Sequence, residues 1–215
     1  MSSQKLLAVV GATGTQGASV ISHFLKHYPL QYKLRALTRN PASSSARSLT
    51  DKGVEVVQAD LDDPPSLQRA FAGANAIFAY TATDVITASP EAIKTFESGQ
   101  VGSIGEAAYP IEIRQGKNIA DAAASVGESL ERIVWSSLNA VRRLSGGKYT
   151  QAWHEDAKAE IKQYMTNLPQ LGGKGKVSSV VMGVFADNAV RAPELFAPVK
   201  VCFSFTTPSV CVTSR

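Results

Sequence analysis

Apolar positions in this chain fall into short unbroken runs set between stretches of helical periodicity. Residues 6–10 form the first run, and an uninterrupted apolar segment ending in glycine suits a central parallel strand covered on both faces. In residues 18–26, Val20, Ile21, Phe24 and Leu25 share one helical face, with Pro29 at the exit. Residues 32–39 alternate apolar with polar side chains and predict a second strand, and residues 54–60, after Gly53, predict a third. Residues 73–81, 133–138 and 177–182 predict three more. Asp62 and Asp63 open a helix, where acids meet the positive end of its dipole, and residues 112–123 form a clear helix. Residues 84–108 hold Pro90, Gly99, Gly102 and Gly105, and predict a long loop with one helical turn near residues 91–96. Strands alternating with helices at this spacing predict an α/β fold: a doubly wound parallel sheet with right-handed crossovers.

The turn after the first strand carries the main chemical signal. Gly11, Gly14 and Gly17 recur at three-residue spacing, with Ala12, Thr13, Thr15 and Gln16 between them. A diphosphate approaches backbone N–H groups closely only where side chains are missing, and the following helix N-terminus adds positive potential. Dinucleotide binding is the expectation, with a plain tight turn as the alternative. Where the second strand ends, NAD-specific folds place an acid for the ribose hydroxyls; this chain has Thr38-Arg39-Asn40-Pro41. The Arg39 guanidinium can pair with a 2′-phosphate and stack on adenine, which favours NADP(H) over NAD(H); otherwise Arg39 lies on a polar loop. Ser43, Ser44 and Ser45 could add hydroxyl contacts to that phosphate. Thr81, Ala82 and Thr83, at the carboxyl end of the fourth strand, should lie beside the cofactor ribose and diphosphate.

The string Gly-Ala-Thr-Gly-Thr-Gln-Gly at residues 11–17 resembles the extended and atypical short-chain dehydrogenases, and within them the NmrA-like branch. The likeness continues through Gly-x-Glu-Val-Val-x-x-Asp-x-x-Asp at residues 53–63, the helix ahead of the fifth strand, and Phe185-Ala186-Asp187-Asn188. It implies a Rossmann domain in which Asp60 and Leu61 contact adenine. Arg114 would take the place of a basic residue that reaches the cofactor, and Phe185 to Asn188 would face the nicotinamide. Asp60 as a turn or cap residue and Asn188 as a helix cap are the structural alternatives. Ser136 and Ser137 end the fifth strand; short-chain dehydrogenases use a serine near this point to polarise a substrate carbonyl, and the alternative is a solvated strand end.

Ordinary members of that superfamily carry Tyr-x-x-x-Lys on the next helix, a spacing that puts both side chains on one face. Here His154-Glu155-Asp156-Ala157-Lys158 keeps the lysine and places histidine in the tyrosine's position. Tyr149 and Tyr164 sit at other offsets. Two readings follow. His154 and Lys158 form an acid/base pair for NADPH-dependent reduction of a small carbonyl or enone, as isoflavone-reductase-like relatives use a lysine. Alternatively, Lys158 only anchors the nicotinamide ribose in a redox-responsive regulator that acts through a protein partner. The missing phenol favours the regulator.

A length of 215 residues supports one good core with a small appended subdomain, and 44% hydrophobic with 19% charged residues is ordinary for a globular protein. The net charge is +4, but Arg142-Arg143, Lys174 and Lys176 are short groups, so direct nucleic-acid binding is not expected. No metal site is expected. Cys202 and Cys211 both fall in the final segment and offer no disulfide framework, which points to a reducing compartment, cytoplasmic or nuclear. Neither a leader nor a membrane span is predicted. The resemblance ends near Pro193. Residues 1–193 are expected to form the NAD(P)-binding domain and residues 194–215 an atypical tail, as in a truncated or mis-spliced product without the smaller substrate lobe of relatives.

Overall fold

The apolar runs become the strands of one parallel sheet. The computed structural model describes residues 4–182 and the backbone of residues 200–203 and 210–213. The chain divides into two compact units, Met1–Val181 and Met182–Arg215. The first contains β1 (Lys5–Val9), α1 (Thr15–His27), β2 (Tyr32–Thr38), α2 (Ser44–Thr50), β3 (Glu55–Gln58) and α3 (Pro64–Phe71). It continues with β4 (Ala76–Ala79), α4 (Thr83–Thr87), α5 (Pro90–Glu97), α6 (Ile104–Ser125), β5 (Arg132–Ser137), α7 (Val141–Leu144), α8 (Trp153–Asn167) and β6 (Val177–Val181). The strand order is β3-β2-β1-β4-β5-β6, every neighbouring pair parallel. The order reverses between β1 and β4, and such a reversal leaves a crevice outside the carboxyl ends of the strands.

Both faces of the sheet are covered, which is why its strands read as unbroken apolar runs. Leu7 and Val9 pack into one core with Ile21, Leu34 and Phe78, while Ala8 and Val10 enter the other with Ile77, Trp135, Ile119 and Ile161. Neighbouring residues of β1 therefore serve opposite layers, as the twofold period of a strand requires. In the second unit, β7 (Lys200–Phe203) and β8 (Val210–Thr213) pair antiparallel, with Lys200 opposite Thr213 and Phe203 opposite Val210.

The expected long loop at residues 84–108 is helical instead. It contains α4, α5 and the first turn of α6, with their own small core of Ile86, Ala92, Ala107, Ala108 and Ile111. The proline and glycines marked helix starts as well as breaks. The Ser89 hydroxyl accepts from the Ala92 N–H with Pro90 in the first helical turn, where its missing N–H costs nothing. At the start of α6 the Ser103 hydroxyl accepts from Glu106 N–H, and the Glu106 carboxylate accepts from Gly102 N–H, a reciprocal arrangement close to a capping box. Within α6, Gly105 lies against the Trp153 ring, where an added Cβ would stand 3.1 Å from Cδ1. Residues 44–50, too, are a helix, capped by the Ser43 hydroxyl, which accepts from Ala46 N–H.

Candidate functional site

β1 delivers the chain to the crevice and the glycine turn redirects it. Val10 N–H still bonds the sheet, donating to the Phe78 carbonyl at 2.9 Å. Gly11 then adopts φ +62°, a left-handed conformation that disfavours any side chain, and Gly14 N–H donates back to the Gly11 carbonyl at 2.9 Å. Gly17 lies in the first turn of α1, directly against this turn. A Cβ there would stand 2.4 Å from the Gly11 oxygen and 2.8 Å from Ala12 Cα. Gly14 is the N-cap residue and makes no side-chain cap, so the first-turn N–H groups of α1 keep their positive potential at the crevice. Ala12 is buried, Thr13 and Thr15 are exposed and Gln16 is half-buried.

One residue that sequence reasoning passed over lies in the same hollow. The Tyr80 hydroxyl donates to the Gly11 carbonyl at 3.2 Å. A Cβ on Gly11 would stand 2.5 Å from that hydroxyl, and one on Gly14 2.6 Å from it. The space expected to be bare therefore holds a phenol. The apolar run at residues 73–81 carried no hint of this, because it depends on β4 lying beside β1.

Arg39, just past β2, is exposed and makes no ion pair among the described residues. It lines a cleft of about 480 Å³ whose other walls include Asp62, Val85, Ile86, Pro90 and Ile111. The helices found in place of the expected loop thus form one side of a compartment next to the guanidinium. Asp60, two residues past β3, accepts from Asp62 N–H through its carboxylate, a turn contact. Leu61 packs part-buried on the core and offers its carbonyl to the Asn118 side chain. Arg114 points to carboxylates: it donates to Asp62 at 3.0 Å and in bidentate fashion to Glu91 at 2.8 and 2.9 Å. That hydrogen bonding holds the Glu91 carboxyl below its usual range. These contacts tie α6 to α5 and to the start of α3.

The third cluster joins the segment after β4, the start of α4, α6 and α8. His154 and Lys158 lie one turn apart on α8 and meet Thr81, Thr83 and Glu112. Lys158 Nζ donates to the Thr81 carbonyl at 2.6 Å and the Thr81 hydroxyl at 2.9 Å, and lies 3.2 Å from Glu112 Oε1. The Thr81 hydroxyl donates to Glu112 Oε1 at 2.6 Å, and the Thr83 hydroxyl lies 3.0 Å from the same oxygen. His154 Nδ1 contacts the Thr83 hydroxyl and lies 3.4 Å from Glu112 Oε2. Ala82 is the N-cap residue of α4. The threonine hydroxyls expected at a ribose are thus engaged inside the protein.

Burial grades across this cluster: the Glu112 and Lys158 side chains are 1% and 7% exposed, whereas His154 is 37% exposed. Burial pushes the Glu112 carboxyl up, but the His154 hydrogen bond, the Lys158 charge and the Thr81 hydroxyl outweigh it and hold the acid below its ordinary range. Burial pulls the Lys158 ammonium down, with Glu112 opposing. Trp135, stacked 5.5 Å from Nζ, donates its indole N–H to the Lys158 carbonyl. Ser136 is buried, and the Ser137 hydroxyl lies within reach of the Leu138 and Lys158 carbonyls. Glu112 was missed in the sequence, though its signal was present. It falls in the buried stripe of α6 formed by Ala108, Gly116, Ile119 and Ala123, a place where an acid needs a partner. Phe185, Ala186, Asp187 and Asn188 lie outside the described residues.

Among the described residues no helix is long and apolar enough to cross a membrane, and no group of three or more side chains could hold a metal ion. The chain is 34% identical over 162 residues to an NmrA-like family domain-containing oxidoreductase, cpsB, of Aspergillus campestris, covering 75% of this chain and 42% of that protein. It is also 34% identical over 164 residues to the oxidoreductase FrzB of Cladobotryum sp, covering 76% of this chain and 42% of that one. It therefore spans less than half the length of these relatives. The fold is shared with NmrA, a negative transcriptional regulator (TM-score 0.62, 23% identity, 86% of this chain and 48% of that one). It is shared as well with the Citrobacter sp. triphenylmethane reductase complexed with NADP(H) (TM-score 0.56, 22% identity, 88% and 55%). The NmrA-like family pattern matches from residue 3 to residue 197, and to that family this chain belongs.

Proposed function

We propose that this chain binds NADP(H) across the carboxyl edge of its sheet and serves the reduction of a small carbonyl, quinone or enone. The carrying observation is the uncapped N-terminus of α1 above the Gly11–Gly17 turn, next to the Arg39 cleft. Amides of the turn would hold the diphosphate, and Arg39 the 2′-phosphate, with adenine against Val85, Ile86 and Pro90. The bound reduced nicotinamide would supply hydride. Lys158 Nζ lies beside the crevice as the proton donor, Glu112 opposes the loss of its charge on burial, and half-exposed His154 joins the pair to solvent. The names of the two relatives, both oxidoreductases, support this reading.

The test is a titration of the full chain with all four nicotinamide dinucleotides. Arg39→Glu should weaken NADPH about ten- to hundredfold and leave NADH nearly unchanged; equal losses refute the phosphate assignment. NADPH oxidation against a panel of ketones, quinones and enones, abolished by Lys158→Ala, would identify the reductase.

A second reading has its own observation, the histidine where a phenol would donate the proton. On that reading the protein is a redox-responsive regulator of the cytoplasm or nucleus, with Lys158 as an anchor only. Association with a protein partner that follows the NADP⁺/NADPH ratio, without turnover, would favour it.

A further inference from the structure

We propose that the Tyr80 phenol and the diphosphate of a bound dinucleotide share one hollow, so that Tyr80 sets the affinity of the site. The inference rests on the dinucleotide reading above and adds to it a residue that must give way. Gly11 and Gly14 leave a hollow because they lack side chains. That hollow is filled: Tyr80 Oη, Cζ and Cε1 stand 2.5, 2.7 and 2.8 Å from the place of a Cβ on Gly11, and Oη stands 2.6 Å from one on Gly14. The second glycine of such a turn is the one that lets backbone amides approach a pyrophosphate. An oxygen of the phosphate and the phenol cannot both occupy that space.

Tyr80 is placed to move. β4 ends at Ala79, so no ladder bond of the sheet passes through residue 80. By strand alternation its side chain follows Phe78 toward the α1 layer, where the ring packs half-buried beside Phe78 at 6.3 Å. One hydrogen bond, to the Gly11 carbonyl, holds the hydroxyl. Rotation about χ1 would release that bond and expose the ring edge without disturbing the sheet. Burial, helped by the Asp84 charge, pushes the phenol above its ordinary range, so the group in the hollow is a neutral hydroxyl. A diphosphate must then displace it sterically, with no ionic repulsion from the phenol, and because its oxygens only accept, the Gly11 carbonyl that the phenol leaves must find another donor.

Calorimetric titration with NADP⁺ and fluorescence titration with NADPH, on wild type, Tyr80→Phe, Tyr80→Val and Tyr80→Ala, tests this. Removing the ring should tighten binding about tenfold in the valine and alanine variants, a shift typical of relieving one competing contact. Tyr80→Phe, which keeps the ring and loses the hydroxyl, should fall between them and wild type. Nuclear magnetic resonance of ring-labelled tyrosine should show one signal, absent in Tyr80→Phe, shifting as NADP⁺ saturates the wild type. Equal or weaker binding by folded Tyr80→Val, with wild type still binding, overturns the shared hollow and leaves the dinucleotide site standing. Binding by none of the four proteins overturns both.

Discussion

Glu112→Ala should cost about 3–5 kcal/mol of stability, because it strands a buried ammonium without its counter-charge. For a domain held by about 5–15 kcal/mol, that is a large fraction of the total. Urea denaturation of the full chain gives the measurement, and a loss under about 1 kcal/mol would refute the ion pair as a structural tie. The double variant Glu112→Ala with Lys158→Met should recover most of the loss, since no charge is then left in the interior. The pH dependence has two opposite signs. The Glu112 carboxyl is held low in the folded protein, so its contribution is present above the unfolded value of about 4.3 and disappears as pH falls through the folded one. The Lys158 ammonium is lowered, so stability rises as pH climbs from its folded value toward about 10.4. Glu112→Gln should flatten the acid limb and, by removing the charge that raises the Lys158 ammonium, move the start of the alkaline limb to lower pH.

Gly17→Ala should abolish the dinucleotide site with a smaller effect on stability. The new methyl would meet backbone atoms of Gly11 and Ala12, not a side chain that could swing away. Relief requires α1 to shift off the turn. Overpacking of this kind costs about 1–3 kcal/mol, offset by about 1 kcal/mol from the better helix propensity of alanine. The protein should therefore still fold, and circular dichroism should show its helices. Amides displaced from a diphosphate cannot be replaced from elsewhere, so NADP⁺ affinity should fall about thirtyfold or more. Wild-type affinity in a folded Gly17→Ala protein would show that the helix does not need to ride on the turn.

Much of the scaffold was legible because it is local. Leu7, Ala8 and Val9 read as a strand buried on both faces, and the three glycines from the end of β1 into the first turn of α1 read as a close turn. Boundaries shifted by one or two residues for most strands, and by more for β4, whose ladder covers only residues 76–79. The misread segment was 84–108. Pro90 and Gly105 look like breakers when taken alone. Ser89 before Pro90, and Ser103 three residues ahead of Glu106, are start signals for α5 and α6 that the same stretch also carried.

The site was read less completely than the scaffold. His154 and Lys158 could be placed on one helical face from spacing alone, but what they face could not. Lys158 meets Thr81 and Glu112, and Arg114 meets Asp62 and Glu91, through contacts between segments far apart in the chain. A charged residue in an apolar stripe announces only that some partner exists.

By itself the sequence determined the alternation of strands and helices, the crevice at the carboxyl ends of the strands, and the glycine turn after β1. These follow from periodicity and from backbone conformations that only glycine tolerates well. Tertiary structure alone decided that Glu112 pairs with Lys158, that Arg114 ties down carboxylates, and that the Tyr80 phenol sits on the glycines. Those contacts exist because the sheet order sets β4 beside β1 and helix packing sets α6 against α8, α5 and α3, and adjacency of that kind leaves no local pattern in a chain.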